Sequence, residues 1–160
     1  MCWWWYGSSG TLRDPIVKII KLFIALLALS FLSQNSLAET IILSDADKVS
    51  IKTVVSKQLQ AFAEDNALEA FSYASPKIQS IFSSPDNFMI MVKKSYPSVY
   101  RPRNINIGMV EIYRGIPILL VYLVGPDGKF VTAKYTMQKQ SNKQWKIDSC
   151  ILTTAEAENI

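Results

Sequence analysis

The chain has 160 residues, with 17 Lys and Arg against 13 Asp and Glu, a formal net charge of +4 and no histidine. The lack of histidine removes the most frequent general base, the usual Ser–His and Cys–His nucleophile pairs and most zinc sites. The basic residues form no concentrated stripe of the kind that binds nucleic acid. We therefore expect no nucleic-acid partner, no metal site and no cofactor.

Residues 16–32 form an apolar run with lysines at its front, the pattern of an export signal. Lys18 and Lys21 supply the positive region, residues 22–32 supply the apolar region, and a Ser-Leu-Ala tripeptide ending at Ala38 supplies small residues for signal peptidase. The uninterrupted run is shorter than the roughly 20 apolar residues of a spanning helix. We predict cleavage after Ala38 and a periplasmic or other extracytoplasmic location. The alternative is an uncleaved segment that anchors the protein in the inner membrane.

Removal of this segment changes what the working protein contains. It takes away three basic residues and one acidic residue, which leaves a net charge of +2. Cys150 becomes the only cysteine, so no intramolecular disulfide is expected, and its apolar neighbours predict a buried thiol. The predicted organisation is a signal segment (1–38, of which 1–15 reads as an over-called translation start), a leader (39–48), one domain (49–152) and a frayed tail (153–160).

The sequence of the first half of the domain predicts four short helical segments. Apolar residues at steps of three and four mark the first: Ile51, Val54, Val55, Leu59 and Phe62. Asp47 or Ser50 is a candidate cap for this helix. A second segment covers residues 67–74. Ser75 and Ser84, each followed by proline, are typical helix starts and predict a third segment and a fourth that reaches about residue 95.

The second half predicts four strands. Residues 104–113 alternate, with Gly108 at a predicted bulge. Residues 118–124 are apolar on both faces, as in a central strand, and a Gly-Pro-Asp-Gly loop follows. Residues 131–138 and 145–150 alternate again. The sequence therefore predicts an α+β domain, in which N-terminal helices cover one face of a bent four-stranded antiparallel sheet and enclose a cone-shaped cavity.

Several segments of this chain resemble a bacterial family, the domain of unknown function 4864 family. The resemblance covers about residues 51–152, and its most specific segment is Tyr-Pro-Ser-Val-Tyr-Arg-Pro at residues 96–102. Further matching segments are Ala61-Phe62 with Asp65, Phe71 to Pro76 with Ile78-Gln79, Phe88-Met89 with Met91-Val92, and Trp145 to Cys150. The family looks like a relative of the cone-shaped folds of nuclear transport factor two and the SnoaL-like cyclases. By analogy such folds host both enzymes and binding modules, so the resemblance implies a fold and not an activity.

The segment from residue 96 to residue 103 is the main candidate ligand-binding site. Two prolines stiffen it. Arg101 and Arg103 could form a fork for a carboxylate or a phosphate, while Tyr96 and Tyr100 could supply a stacking face and a hydroxyl. The alternative is a structural role, in which the aromatic rings fill a junction between helix and sheet and Arg101 caps helix carbonyls or pairs with a carboxylate such as Asp148.

Asp148 is the candidate catalytic residue. A carboxylate inside a cone could act as a base. Strict alternation would place it on the same side of its strand as Cys150. The leading hypothesis is nevertheless non-enzymatic binding of a small, partly apolar ligand or of a partner protein. One alternative is an isomerase or cyclase that uses Asp148 with Tyr96 or Tyr100. Another is a structural module that forms a homodimer through the open face of the sheet.

Overall fold

The computed structural model describes residues 42–154, and confirms an α+β domain in which helices precede a four-stranded antiparallel sheet. The predicted signal segment, the cleavage site after Ala38 and the possible anchor at residues 16–32 lie outside the described residues. The helices are α1 (Asp45–Ala63), α2 (Ala67–Ser72), α3 (Pro76–Phe82), α4 (Pro85–Ser95) and α5 (Pro97–Tyr100). The strands are β1 (Asn104–Tyr113), β2 (Ile116–Val124), β3 (Phe130–Lys139) and β4 (Trp145–Thr154).

Helix α1 begins earlier than predicted. Its cap is Ser44, whose hydroxyl accepts a hydrogen bond from the Asp47 amide at 3.1 Å, while the Asp47 carboxylate accepts one from the Ser44 amide at 3.3 Å. This reciprocal pair satisfies two free amides at the helix start. The prediction of Asp47 or Ser50 as the cap was therefore wrong, and the predicted leader contains the first turn of a helix of 19 residues.

The starts of α3 and α4 follow the sequence signals. The hydroxyls of Ser75 and Ser84 accept hydrogen bonds from amides three residues further on, each with proline at the start of the helix, as predicted. Helix α5 was not predicted. Pro97 begins this single turn and the Arg101 amide closes it on the Pro97 carbonyl at 3.0 Å. The segment before β1 thus contains a helical turn where a stiff loop was expected.

The sheet is a meander in the order β1-β2-β3-β4, and it buries one face against the helices. As predicted, the alternating residues of β3 point inward: Val131, Ala133, Tyr135 and Met137 are all buried. On β2 the residues opposite them include Leu119 and Val121, which are fully buried. This face forms the core together with apolar residues of α1 and α4. Burial of this apolar surface is the main contribution to the stability of the fold.

Two bulges interrupt the strand pairing, and bulges bend strands. One lies between Ile107 and Val110 of β1, where a Cβ on Gly108 would stand 2.7 Å from the Leu120 carbonyl oxygen, so the predicted bulge at this glycine is confirmed. The other was not predicted. Ile147 pairs with Met137 and Ser149 with Thr136, so Asp148 is an extra residue in β4.

The bulge at Asp148 changes which side chains of β4 face the core. Before it, Ile147 is buried on the inner face; after it, Cys150 lies opposite the inward Tyr135. Asp148 and Cys150 therefore do not share a face in the way that strict alternation predicted. The strand also runs on to Thr154, so the first two residues of the predicted frayed tail belong to the sheet.

The free edge of β4 is covered by the connection between α2 and α3. The Ser75 amide donates to the Ile147 carbonyl at 2.8 Å, and the Ile147 amide donates to the Tyr73 carbonyl at 2.9 Å, which makes a short parallel bridge at Ala74. Within residues 42–154, no helix has the length and the apolar character that crossing a bilayer requires.

Candidate functional site

A cavity of about 260 Å³ lies between the helices and the inner face of β3 and β4. Its helical side is built by α1, α3, α4 and α5, and its sheet side by Tyr135 and by three residues of β4 that lie on either side of the bulged Asp148. The residues that line it are Gln58, Phe62, Ala74, Ile78, Ile81, Phe82, Phe88, Met91, Val92, Tyr96, Val99, Tyr135, Ile147, Ser149 and Cys150.

Aromatic rings form one wall of this cavity. The ring of Phe88 lies 6.0 Å from that of Phe62 and 5.5 Å from those of Phe71 and Phe82, with tilted and edge-on geometries that aromatic pairs prefer. Ile81 also lines the cavity, but its side chain is 61% exposed to solvent. The cavity therefore reaches the surface beside α3. The wall is therefore apolar and well packed, while one side is open.

None of the side chains that line the cavity carries a charge. Two of its polar side chains have partners in the protein. Gln58 donates from Nε2 to the Ala70 carbonyl at 3.1 Å, and the Tyr96 hydroxyl donates to the Cys150 carbonyl at 3.3 Å. The Ser149 hydroxyl is paired with that of Thr136 on the outer face of the sheet, so it points away from the cavity. These bonds hold the polar side chains in place.

Tyr135 is the exception. Its side chain is fully buried, and its hydroxyl has no hydrogen-bond partner among the described residues. Burial raises the pKa of Tyr135 well above its ordinary value, and burial also raises the pKa of the neighbouring Cys150 thiol to about 12. Both groups are consequently neutral and protonated near pH 7, so that neither is available there as a base or as a thiolate nucleophile.

The two predicted arginines do not form a fork. Arg101 donates to the Ala63 carbonyl at the end of α1 and to the Asp65 carboxylate at 2.6 Å, and its guanidinium lies 4.7 Å from the centre of the Tyr100 ring. Arg103 instead donates to the Pro126 carbonyl in the β2–β3 loop. The predicted structural alternative therefore describes the geometry of Arg101 well, although its acidic partner is Asp65 and not Asp148.

Asp65 is the centre of this cluster. It adopts a left-handed conformation (φ 57°) just after α1, accepts from the Tyr100 hydroxyl, and pairs with Lys93 at 2.8 Å as well as with Arg101. The hydrogen bond from Lys93 is the main cause that lowers the pKa of Asp65. Of the four residues predicted for ligand binding, only Tyr96 lines the cavity, while Tyr100 and the arginines connect helices and loops.

Asp148 also lies outside the cavity lining. Its carboxylate accepts a hydrogen bond from the Ser75 hydroxyl at 2.8 Å and lies 3.7 Å from the Lys77 ammonium. Because Asp148 is the bulged residue, it faces the α2–α3 connection, where it ties that connection to β4. This geometry does not bring it to a tyrosine hydroxyl, as the isomerase hypothesis requires. In the part of the chain that the structure describes, no three potential metal ligands cluster together.

Comparison with known proteins identifies the family. The model of the family described as "Domain of unknown function (DUF4864)" matches residues 44–160. The chain belongs to this family. The resemblance noted in the sequence is thereby confirmed, and the match includes every residue that lines the cavity. No curated protein and no solved structure matches the chain.

Sequence reasoning missed the two most buried polar residues of the cavity, Tyr135 and Gln58. Tyr135 carried a weak signal, because it is the only hydroxyl-bearing residue among the inward positions of β3. Gln58 carried a weak signal too, because it is a polar residue next to Leu59 in the apolar stripe of α1. Neither signal separates a binding residue from an ordinary core residue without knowledge of the cavity beside it.

Proposed function

We propose that this domain binds a small, partly apolar molecule in the cavity and carries out no chemistry on it. The observation that carries the proposal is a preformed cavity with a mainly apolar wall, a few convergent polar groups and an opening beside Ile81. Concave, largely apolar sites of this kind are the usual form of small-molecule sites in proteins. The family description names no activity, so the proposal rests on this geometry.

The electrostatics of the wall favour binding over catalysis. General acid–base catalysis works best with groups whose pKa lies near the working pH. The two titratable side chains that face each other across the sheet, Tyr135 and Cys150, both have a raised pKa because they are buried. The nearest carboxylate along the chain, Asp148, bonds to Ser75 outside the lining.

A pair of tryptophan variants in α4 tests the proposal. Met91 lines the cavity, whereas its neighbour Ile90 is 63% exposed and does not. The full chain is purified from its own cells, and denatured extracts are compared by mass spectrometry. We expect a small molecule that co-purifies with the wild type and with Ile90→Trp but is lost in Met91→Trp.

Thermal unfolding with a panel of small alcohols, ketones and acids complements the extract. A ligand at 100 times its Kd stabilises a protein by about 2.7 kcal/mol, which is readily measured. The proposal is wrong if no molecule co-purifies and no member of the panel raises the Tm of the wild type. Equal retention of a molecule by both tryptophan variants would also contradict binding in this cavity.

A second candidate function is self-association, which the outer face of the sheet favours. That face carries exposed apolar side chains on all four strands: Tyr113, Ile116, Tyr122, Phe130 and Ile151. Contiguous exposed apolar surface often marks an interaction site. Light scattering tests this candidate. We expect a concentration-dependent dimer that Tyr122→Lys weakens, and a wild-type protein that stays monomeric at high concentration excludes it.

The export prediction would place the binding site on the extracytoplasmic side of the membrane. Intact mass of the protein in soluble and membrane fractions tests this. A chain that begins at Glu39 is expected after cleavage. A chain that keeps residues before Glu39 contradicts cleavage after Ala38, and its recovery from the membrane fraction would support the anchor.

A further inference from the structure

We propose that the ligand is a single-chain amphiphile with a negatively charged head group, whose alkyl chain of about ten carbon atoms fills the cavity while the head group stays in water beside Ile81. This inference rests on the proposed function and specifies the class of its ligand. Three observations carry it: the volume of the cavity, an uncharged wall that is open on one side, and two lysines that neighbour the lining.

The wall of the cavity suits an alkyl chain. None of the lining side chains carries a charge, and most of them are apolar. Gln58 and Tyr96 donate to carbonyls of the protein, the Ser149 hydroxyl points to the outer face of the sheet, and the Tyr135 hydroxyl is inaccessible. The cavity thus offers mainly apolar contact, and each methylene that moves from water into such a site contributes to binding.

The volume of the cavity limits the length of the chain. An apolar protein cavity of about 150 Å³ holds benzene, a ring of six carbons. By the same ratio, the cavity of about 260 Å³ holds about ten carbon atoms. This is the chain of a medium-length fatty acid. A longer chain would extend through the opening into water, where its additional methylenes contribute nothing.

The open side of the cavity admits a charged head group. Ile81 belongs to the lining and is also 61% exposed, so a ligand can place its chain inside and its head group at the surface. A charge is costly only where it loses its hydration. A head group at this opening keeps its water and needs no charged partner in the wall.

Two lysines neighbour the lining on the helical side. Lys77 precedes Ile81 by four residues in α3, and Lys94 follows Met91 by three residues in α4. Side chains at these spacings are neighbours on a helix surface, so each lysine stands beside a residue of the lining. Among residues 42–154, no carboxylate lies within ion-pair distance of Lys94.

The Lys77 ammonium is also available to a ligand. It lies 3.7 Å from the Asp148 carboxylate, and its side chain is 69% exposed. The Ser75 hydroxyl donates to the same carboxylate at 2.8 Å and keeps it partnered without the lysine. Because ion pairs as exposed as this one contribute little free energy, the ammonium can turn towards a ligand at little cost. Both lysines therefore favour an anion over a cation at the opening.

A series of chain lengths tests the fit of the cavity. Calorimetry measures the binding of octanoate, decanoate, dodecanoate and tetradecanoate to the purified protein, below the concentrations at which they form micelles. Up to decanoate, we expect the affinity to rise about fourfold with each added methylene. Beyond decanoate it should level off. Met91→Trp should abolish this binding because the indole fills the cavity, and Ile90→Trp should keep it.

Decylammonium has the same chain length as decanoate and the opposite charge. We expect the wild type to bind decanoate roughly fivefold more tightly, the effect of one or two exposed ion pairs. Lys77→Gln and Lys94→Gln should each reduce this preference by about half, and the double variant should lose it. Lys57→Gln is the matched control, since Lys57 is exposed on α1 and does not line the cavity. It should keep the wild-type preference.

The outcomes distinguish this inference from the proposed function. Equal or tighter binding of decylammonium, a preference that survives the loss of both lysines, or an affinity that rises as steeply beyond decanoate would each overturn the inference. So would decanoate binding that Met91→Trp leaves unchanged, or failure of all carboxylates to bind. The proposed function is judged separately, by a co-purifying molecule that Met91→Trp removes. If no probe binds and no molecule co-purifies, both fail.

Discussion

The two tyrosines that line the cavity are expected to respond in opposite directions when each loses its hydroxyl. Tyr135→Phe removes an oxygen that has no hydrogen-bond partner among the described residues, while the ring continues to fill the same space. Tyr96→Phe removes a hydroxyl that donates to the Cys150 carbonyl at 3.3 Å. The first variant should therefore raise the free energy of unfolding of the ligand-free protein, and the second should lower it.

The size of each effect follows from the hydrogen-bond balance. A buried donor that lacks a partner costs about 1–3 kcal/mol, and an ordinary hydrogen bond contributes about 1 kcal/mol. We expect Tyr135→Phe to gain about 1 kcal/mol, the lower end of the first range, and Tyr96→Phe to lose about the same amount. For a domain of this size the Tm should shift by roughly 4 °C, upward and downward respectively.

Urea unfolding followed by circular dichroism measures both variants. The slope of the free energy against urea should be unchanged, since neither variant alters the surface that unfolding exposes. A ligand that co-purifies must first be removed, because it would stabilise the wild type selectively. The reasoning is refuted if Tyr135→Phe loses as much stability as Tyr96→Phe, since its hydroxyl would then have a partner in the folded protein.

Three further variants probe the rest of the domain. Arg101→Gln should lower the Tm by a few degrees and leave ligand binding unchanged, because this residue ties down the end of α1 away from the cavity; a loss of ligand affinity would contradict that role. The Asp47 carboxylate bonds mainly to Lys139, which holds its pKa below the ordinary range. The stabilising effect of the Asp47 carboxylate should thus be present above about pH 4 and be lost as the pH falls. Asp47→Asn should therefore lower the urea midpoint at pH 7 more than at pH 3. An equal change of the midpoint at both pH values would be evidence against this role of Asp47. In a Cys2→Ser protein, the Cys150 thiol should react with Ellman's reagent at pH 8 more slowly than an exposed thiol, because burial raises its pKa and lowers the fraction of thiolate. Rapid labelling of the folded protein would show an accessible thiolate.

Local sequence signals predicted the parts of the fold that local chemistry determines. The serine-proline pairs at Ser75 and Ser84 predicted two helix starts, because a capping hydroxyl and a preset φ act within one turn. The alternation of β3 predicted its buried face, because a strand between two neighbours keeps a period of two. The start of α1 was misplaced because Asp47 and Ser50 are of residue types that cap helices, as Ser44 is, and only the reciprocal bond between Ser44 and Asp47 selects Ser44.

The candidate site was less accessible to prediction. A bulge inserts one residue into a strand without a compositional mark, so nothing in the sequence around Asp148 showed that the following side chains reverse their faces. The structural alternative named helix carbonyls and a carboxylate as the partners of Arg101, but the sequence could not specify Ala63 and Asp65, nor Pro126 for Arg103, since these groups become acceptors only in the folded chain. A cavity is a property of packing between distant segments, and no local pattern encodes it.

The bridge at Ala74 has a consequence for how this sheet can grow. Edge strands with free amides and carbonyls are templates for a strand from another chain. At β4, the Tyr73–Ser75 segment already occupies that role at Ile147, and Tyr96 occupies the Cys150 carbonyl. Addition of a strand is therefore blocked at this part of the edge, and β1, whose bulge interrupts its own ladder, is the opposite border of the sheet. The helical half of the domain thus protects the first half of β4 from pairing with a strand of another chain.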